Sequence, residues 1–265
     1  MKQRIITGVL AGGAFVAMLA LGGYWFLGLV LLMAIIGFDE FIRMNGLQKQ
    51  HFTRFFGMAA TICLVIPWET DRIGFGLPAE SFVWLILFVL LAVTVVSKNK
   101  VTIDHAAVVF VGIIYIGFGF HYMVSSRWIE TDGLFWTLLT FLCIWASDAG
   151  AYFAGVAFGK TPMWPTISPK KTIEGAVGGL LLAVAVALAF HFFAPATLGL
   201  GRAAGIGILA AAVGQMGDLI QSAYKRVKGI KDTGTILPGH GGILDRVDSW
   251  LIVFPFLCLI SLIPQ

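Results

Sequence analysis

The sequence predicts an all-α polytopic membrane protein of about nine transmembrane helices, with the N-terminus cytoplasmic and the C-terminus outside. Three observations carry this. The 265-residue chain is 58% hydrophobic and 12% charged, where a soluble domain carries about 25% charged residues, and its mean hydropathy is +0.91. The apolar residues fall in continuous runs near the ~20 residues that a spanning helix needs, without the alternation of barrel strands. The basic residues gather on alternate links between those runs, as the positive-inside rule requires.

The runs are 5–21, 24–42, 55–68, 81–96, 103–124, 134–158, 172–193, 203–224 and 242–263. The first has the basic start of a signal peptide, but Gly22-Gly23-Tyr24 leads straight into the next run, so it reads as a retained helix. The third is short, and a tilted or half-inserted helix is the alternative. Fifteen of the eighteen Lys and Arg lie before the first run or after the second, fourth, sixth and eighth; Arg72, Arg127 and Arg202 fall one each on the other links. The net charge of +4 is therefore a topology signal, and no nucleic-acid partner is expected. Cys63, Cys143 and Cys258 each sit alone in an apolar run and read as buried apolar side chains. A soft boundary near Asp132-Gly133 divides N-terminal scaffold helices (1–132, with potential dimer contacts) from a catalytic region (133–265) with cytoplasmic loops.

The chemistry concentrates between Gly214 and Trp250, where an otherwise apolar chain holds four acids, five bases and a histidine. Charges beside apolar segments are costly and call for a function. Asp218, Ser222 and Lys225 are spaced i, i+4, i+7 and share one helical face. Asp218 then lies roughly 10 Å inside Lys225 at 1.5 Å per residue. Gly214 and Gly217 beside it allow another helix backbone to approach. Asp218 is either salt-bridged to a neighbouring helix or a metal ligand in a polar cavity. Asp245 and Asp248 are i, i+3 and face the same way. They suit the positive end of a helix dipole, and together with Asp218 they form an acidic cluster that a divalent cation would relieve.

The Pro238-Gly-His240-Gly-Gly loop has little side-chain bulk, so its amides can approach a phosphate. His240 is a candidate phosphate contact. Ser168-Pro169-Lys170-Lys171-Thr172 precedes the seventh run. Lysines at a helix N-terminus oppose the dipole unless an anion is held there by both; a plain membrane anchor is the alternative. Asp148 interrupts the sixth run as a metal or ribose ligand, or as a partner for a lysine. Asp39 or Glu40 is expected to pair with Arg43 in a structural role. No P-loop, Gly-x-Ser-x-Gly or His-Glu-x-x-His is present.

Ser222-Ala-Tyr-Lys225-Arg226, then Lys231-Asp232, then Leu-Pro-Gly-His240-Gly-Gly-Ile-Leu-Asp245-Arg246-Val-Asp248 resembles the signature of the phosphatidate cytidylyltransferases, or CDP-diacylglycerol synthases. Ser168 to Gly175 and Ser147 to Tyr152 also resemble stretches of that family. Tyr224 departs from it, since an aliphatic residue or Phe is more usual there. The resemblance implies synthesis of CDP-diacylglycerol and pyrophosphate from CTP and phosphatidate, in phospholipid synthesis at the inner membrane. It implies Mg²⁺, alone or with a second cation, and a homodimer. It makes Asp218 and Asp245 metal ligands, with Asp248 and Asp148 close by. The residue chemistry adds Lys170, Lys171, Lys225, Arg226 and Lys231 to neutralise phosphates, with Ser168, Thr172, Ser222, His240 and Arg246 as further substrate contacts. A transporter with a midplane charge site and a lipid-binding scaffold are the rivals. Neither accounts for acids set among lysines near one surface.

The basic-residue pattern makes one prediction. A reporter active only in the cytoplasm, fused after Gln265, gives no signal in whole cells. A strong signal would contradict an odd number of crossings.

Overall fold

The computed structural model describes residues 2–67 and 78–264, with side chains omitted for 2–6 and 79. Arg72 and the end of the third predicted run, Trp68, lie outside the described residues. The chain divides into two compact units: residues 1–125 with 232–245, and residues 126–231 with 246–265.

The first unit contains α1 (Lys2–Leu21), α2 (Gly23–Met44), α3 (His51–Val65), α4 (Ala79–Val96) and most of α5 (Ile103–Trp128). Its core is built on α2, whose Phe26, Phe38 and Phe41 are almost fully buried. Phe41 fits against Gly112 of α5, where an added Cβ would lie 2.6 Å from the ring. Phe38 packs on Gly57 of α3 in the same way. Glycine on one helix is thus the socket for phenylalanine on another. Asp39 pairs with Arg43 at 2.7 Å and with Arg54, which ties the end of α2 to the start of α3.

The second unit contains α6 (Gly133–Phe158), a hairpin of β1 (Pro162–Trp164) and β2 (Ser168–Thr172), then α7 (Ile173–Phe193) and α8 (Leu200–Val227). After the four-residue α9 (Leu244–Val247), which crosses from the first unit, it closes with α10 (Trp250–Leu259). Helices α6 and α7 pack backbone to backbone through small residues. A Cβ on Gly150 would lie 2.7 Å from the Gly178 carbonyl, and one on Gly179 would lie 2.6 Å from the Ser147 carbonyl. Small-residue seams of this kind are how helices associate where apolar burial gives no drive. Phe141 of α6 stacks edge-on against Trp250 and Phe254 of α10, with centroids 4.8 and 5.0 Å away.

The fold is nearly all helical, as the composition predicts, with two departures. The β1–β2 hairpin was not expected: 168–172 is strand, and α7 starts only at Ile173. The ninth run is not one helix. Asp248 and Ser249 break it, and α10 has ten residues with Pro255 inside it. Ten residues rise about 15 Å, half the hydrocarbon thickness. Five helices among the described residues are long and apolar enough to cross a membrane: α2, α5, α6, α7 and α8. Segments Thr7–Leu21, His51–Val65, Glu80–Val96 and Trp250–Leu259 are apolar but shorter. The cysteines are free thiols, Cys143 and Cys258 buried and Cys63 half-buried.

The α6–α7 seam yields a stability prediction. Gly150→Val, which must displace backbone, lowers the melting midpoint of the detergent-solubilised protein, at a cost of ~1–3 kcal/mol. Gly12→Ala, which meets nothing within 4 Å, leaves it unchanged. Equal midpoints would refute the close seam.

Candidate active site

Three acids of the second unit feel one another's charge. Asp218 acts on both Asp148 and Asp248, and Asp148 acts on Asp248. They come from α8, α6 and the break before α10, and the sequence brings them together by identifiable means. The glycine seam sets α6 beside α7. Gly217 brings the break against α8: its Cβ would lie 2.9 Å from the Asp248 carbonyl. Ser249 Oγ donates to the Gly214 carbonyl at 3.0 Å, and Ser249 N–H donates to Asp248 Oδ1 at 2.8 Å. Gly217 thus admits another backbone, that of the break rather than of a helix, while a Cβ on Gly214 would meet only the side chains of Val253 and Ser249.

Basic groups are interleaved with these acids. Lys171 Nζ pairs with Asp218 Oδ2 at 2.7 Å, with the side chains 27% and 38% exposed, and it also lies 3.4 Å from the Gln215 carbonyl. Lys171 and Arg246 act on Asp148, and Lys225 acts on Asp248. Ser222 Oγ donates to Asp218 Oδ1 at 3.2 Å, the contact expected from their i, i+4 spacing. Asp218 is thus salt-bridged, and its partner, Lys171, stands on the strand β2 rather than on a neighbouring helix.

The hairpin that carries Lys170 and Lys171 is fixed at both ends. Glu174 accepts from the Lys160 and Thr161 amides, each at 3.1 Å, and from Thr161 Oγ1 at 2.9 Å. Arg226 Nε donates to the Ile167 carbonyl at 3.0 Å. Thr172 caps α7, its Oγ1 accepting from Gly175 N–H at 3.1 Å. Lys170 and Arg226 are exposed, Ser168 is half-exposed, and Lys231 is exposed at the edge of the unit. The lysine pair therefore stands on a strand before the helix rather than in its first turn.

The first unit holds the other predicted residues. Asp245 is buried, and its Oδ2 accepts from Thr233 N–H at 2.7 Å, Thr233 Oγ1 at 3.0 Å and Gly242 N–H at 3.0 Å. The amides expected to face a phosphate are thus in part committed to the protein's own carboxylates. Glu40 takes two more: Oε1 accepts from Ile243 N–H at 2.9 Å, and Oε2 from Leu244 N–H at 3.0 Å. Arg43 therefore has Asp39 rather than Glu40 as its partner. His240 rests against Gly8 of α1, and its Nδ1 is buried with no hydrogen-bond partner among the described residues. Glu40 and Thr233 were missed by the sequence reading. The one available signal was a second acid at the end of an apolar helix beside an Asp that already satisfies Arg43.

Among the described residues, no three His, Cys, Asp or Glu side chains are grouped so as to hold a metal ion by themselves. The donors at Asp148, Asp218 and Asp248 are nevertheless hard carboxylate oxygens. Asp148 is exposed and Asp218 and Asp248 are half-exposed. Mg²⁺ at nucleotide sites is commonly bound by one or two carboxylates with substrate phosphates completing its shell, and this donor set fits that mode.

The profile described as "Cytidylyltransferase family" matches residues 2–263. Proteins named phosphatidate cytidylyltransferase are similar over almost the whole chain. The one from Staphylococcus haemolyticus is 37% identical over 257 residues, covering 97% of each chain. That from Bacillus subtilis is 37% identical over 262 residues, 97% of this chain and 96% of its own. That from Staphylococcus aureus is 36% identical over 259 residues, 97% of each.

Proposed function

The chain belongs to the cytidylyltransferase family, and from that membership we propose that it transfers the cytidylyl group of CTP to phosphatidate, giving CDP-diacylglycerol and pyrophosphate. One observation carries the reading beyond the family name. The second unit interleaves three mutually repelling acids with lysines and arginines on elements that also supply apolar surface. Such a cluster suits two anionic substrates, one of them a lipid.

An oxygen of the phosphatidate phosphate attacks the α-phosphorus of CTP, the bond from that phosphorus to the β-phosphate oxygen breaks, and pyrophosphate leaves. The attacking phosphate is ionised at neutral pH, with a second pKa of about 6 by analogy with phosphoserine, so no strong general base is needed. The work falls to positioning and charge neutralisation. Lys170, Lys171, Lys225 and Arg226 neutralise the triphosphate and the departing pyrophosphate, and Lys231 and Arg246 add further substrate contacts. Ser168, Thr172 and Ser222 orient the hairpin and α8, and Ser168 and Ser222 offer hydroxyls to phosphate oxygens.

Mg²⁺, alone or with a second cation, would be held by Asp218 and Asp248 with Asp148 close by, and the family resemblance adds Asp245 as a ligand. When bound, such an ion reduces the repulsion between facing phosphates. With Asp218 engaged in that way, Lys171 would be free to meet the nucleotide. The same reading makes the protein multi-pass in the inner (plasma) membrane, with nine crossings, its charged loops toward the cytoplasm, and a homodimeric assembly.

The test is pyrophosphate release by the purified protein supplied with CTP, phosphatidate and Mg²⁺. The wild type turns over, and chelation of the divalent cation stops it. Asp218→Asn and Asp245→Asn each abolish turnover while the protein still purifies as a stable oligomer. Lys171→Ala raises the CTP requirement roughly ten- to a hundredfold, the worth of one charged contact. No turnover by the wild type would reject the reaction, and full turnover by Asp218→Asn would reject the site.

A further inference from the structure

We propose that Glu40 is a positioning residue for the loop 232–245, its buried carboxylate fixing the shape of the segment that carries His240 and Asp245. The proposal rests on the function given above only for its consequence in turnover; the clamp itself is geometric.

Glu40 is 6% exposed near the end of apolar α2. A carboxylate there is costly unless its oxygens are hydrogen-bonded. The partners come from the far end of the chain: Ile243 N–H and Leu244 N–H, 203 and 204 residues away, and Thr233 Oγ1 at 3.1 Å. Asp245 repeats the pattern from inside the loop with Thr233 N–H, Thr233 Oγ1 and Gly242 N–H. Two carboxylates thus take up four backbone amides and one hydroxyl.

Thr233 links them. Its Oγ1 lies within hydrogen-bond reach of both Glu40 Oε2 and Asp245 Oδ2, yet a hydroxyl has one proton to donate. The orientations of the two carboxylates are therefore coupled through one side chain. The surrounding glycines are shaped to Glu40 as well. A Cβ on Gly234 would lie 2.5 Å from Glu40 Oε1, and one on Gly242 would collide with Oε2. The low side-chain bulk of this stretch leaves room for the protein's own carboxylate. Leu244, packed 3.1 Å from where a Gly37 Cβ would stand, seats the loop on the same helix one turn earlier. Asp39, the neighbouring acid, is satisfied by Arg43 and Arg54, which leaves Glu40 to the loop.

The experiment uses the full chain in detergent and three variants. Glu40→Gln keeps the shape but turns an amide N–H₂ toward backbone donors. Thr233→Val removes the shared hydroxyl, and Thr233→Ser restores it. Hydrogen–deuterium exchange is read on peptides covering 233–245, beside melting midpoint and pyrophosphate release. In Glu40→Gln and Thr233→Val, exchange at 242–244 rises on the order of tenfold. Exchange in α6 to α8 stays at the wild-type values, while the melting midpoint falls with the loss of the buried contacts. Turnover falls at least about tenfold, and Thr233→Ser recovers most of it. Unchanged exchange at 242–244 would overturn the clamp. Faster exchange with undiminished turnover would overturn its part in the reaction. If Glu40→Gln does not fold, Thr233→Val decides both points. A wild type that releases no pyrophosphate counts against the reaction and leaves the exchange result to decide the clamp.

Discussion

The pair between Lys171 and Asp218 is the interaction on which the second unit turns. It joins a strand of the hairpin to the middle of an apolar helix, at 2.7 Å. Everything around it serves to bring those two residues together: the α6–α7 glycine seam, the Glu174 anchor, the Arg226 contact to the hairpin turn. Yet both side chains are about a third exposed, and such pairs contribute only about 0–1 kcal/mol. The fold's stability therefore lies elsewhere, in the buried helix contacts. A weak pair at the focus of a charged cluster is easily exchanged. Either side chain can leave the other at small cost, since neither is then a buried uncompensated charge; the proposed function uses this, with Lys171 turning to a phosphate and Asp218 to a cation.

The carboxylates of the first unit are in the opposite regime. Glu40 and Asp245 are buried, at 6% and 7% exposure, and are satisfied by amides fixed in one backbone conformation. Removing one partner from such a network leaves donors unpaired, which costs far more than breaking an exposed ion pair. The chain thus uses acids in two ways. In the second unit they are accessible and mutually repelling, suited to exchange of partners. In the first, Glu40 and Oδ2 of Asp245 hold a glycine-rich loop in place.

The apolar runs were legible because helix length and hydropathy are local properties. Predicted limits such as 24–42 and 134–158 fall within two residues of α2 and α6 at every end. The hairpin was not legible, since β1 is three residues long and Pro165 and Pro169 flank its turn, leaving no period to read. The run 242–263 looked like one span because composition outweighs punctuation in a hydropathy reading. Asp248, Ser249 and Pro255 are the punctuation, and the structure breaks at the first two. At the site, the i, i+4 contact of Ser222 with Asp218 was readable from spacing alone. A salt bridge for Asp218 was one of two options, but its partner Lys171 stands on the hairpin, which was not legible, rather than on a helix. Asp39 and Glu40 were both candidates for Arg43 because local pairing is the natural guess; Asp39 takes it, and Glu40's partners lie some two hundred residues on.

The central claim is a single displacement at the α-phosphorus of CTP, organised by charges rather than by a covalent enzyme intermediate. The most direct measurement is the stereochemical course with a CTP analogue made chiral at that phosphorus by one sulfur. A direct attack by the lipid phosphate inverts the configuration in the CDP-diacylglycerol product, as in-line displacement requires. Retention would mean two successive displacements through a cytidylyl-enzyme, and would contradict the account.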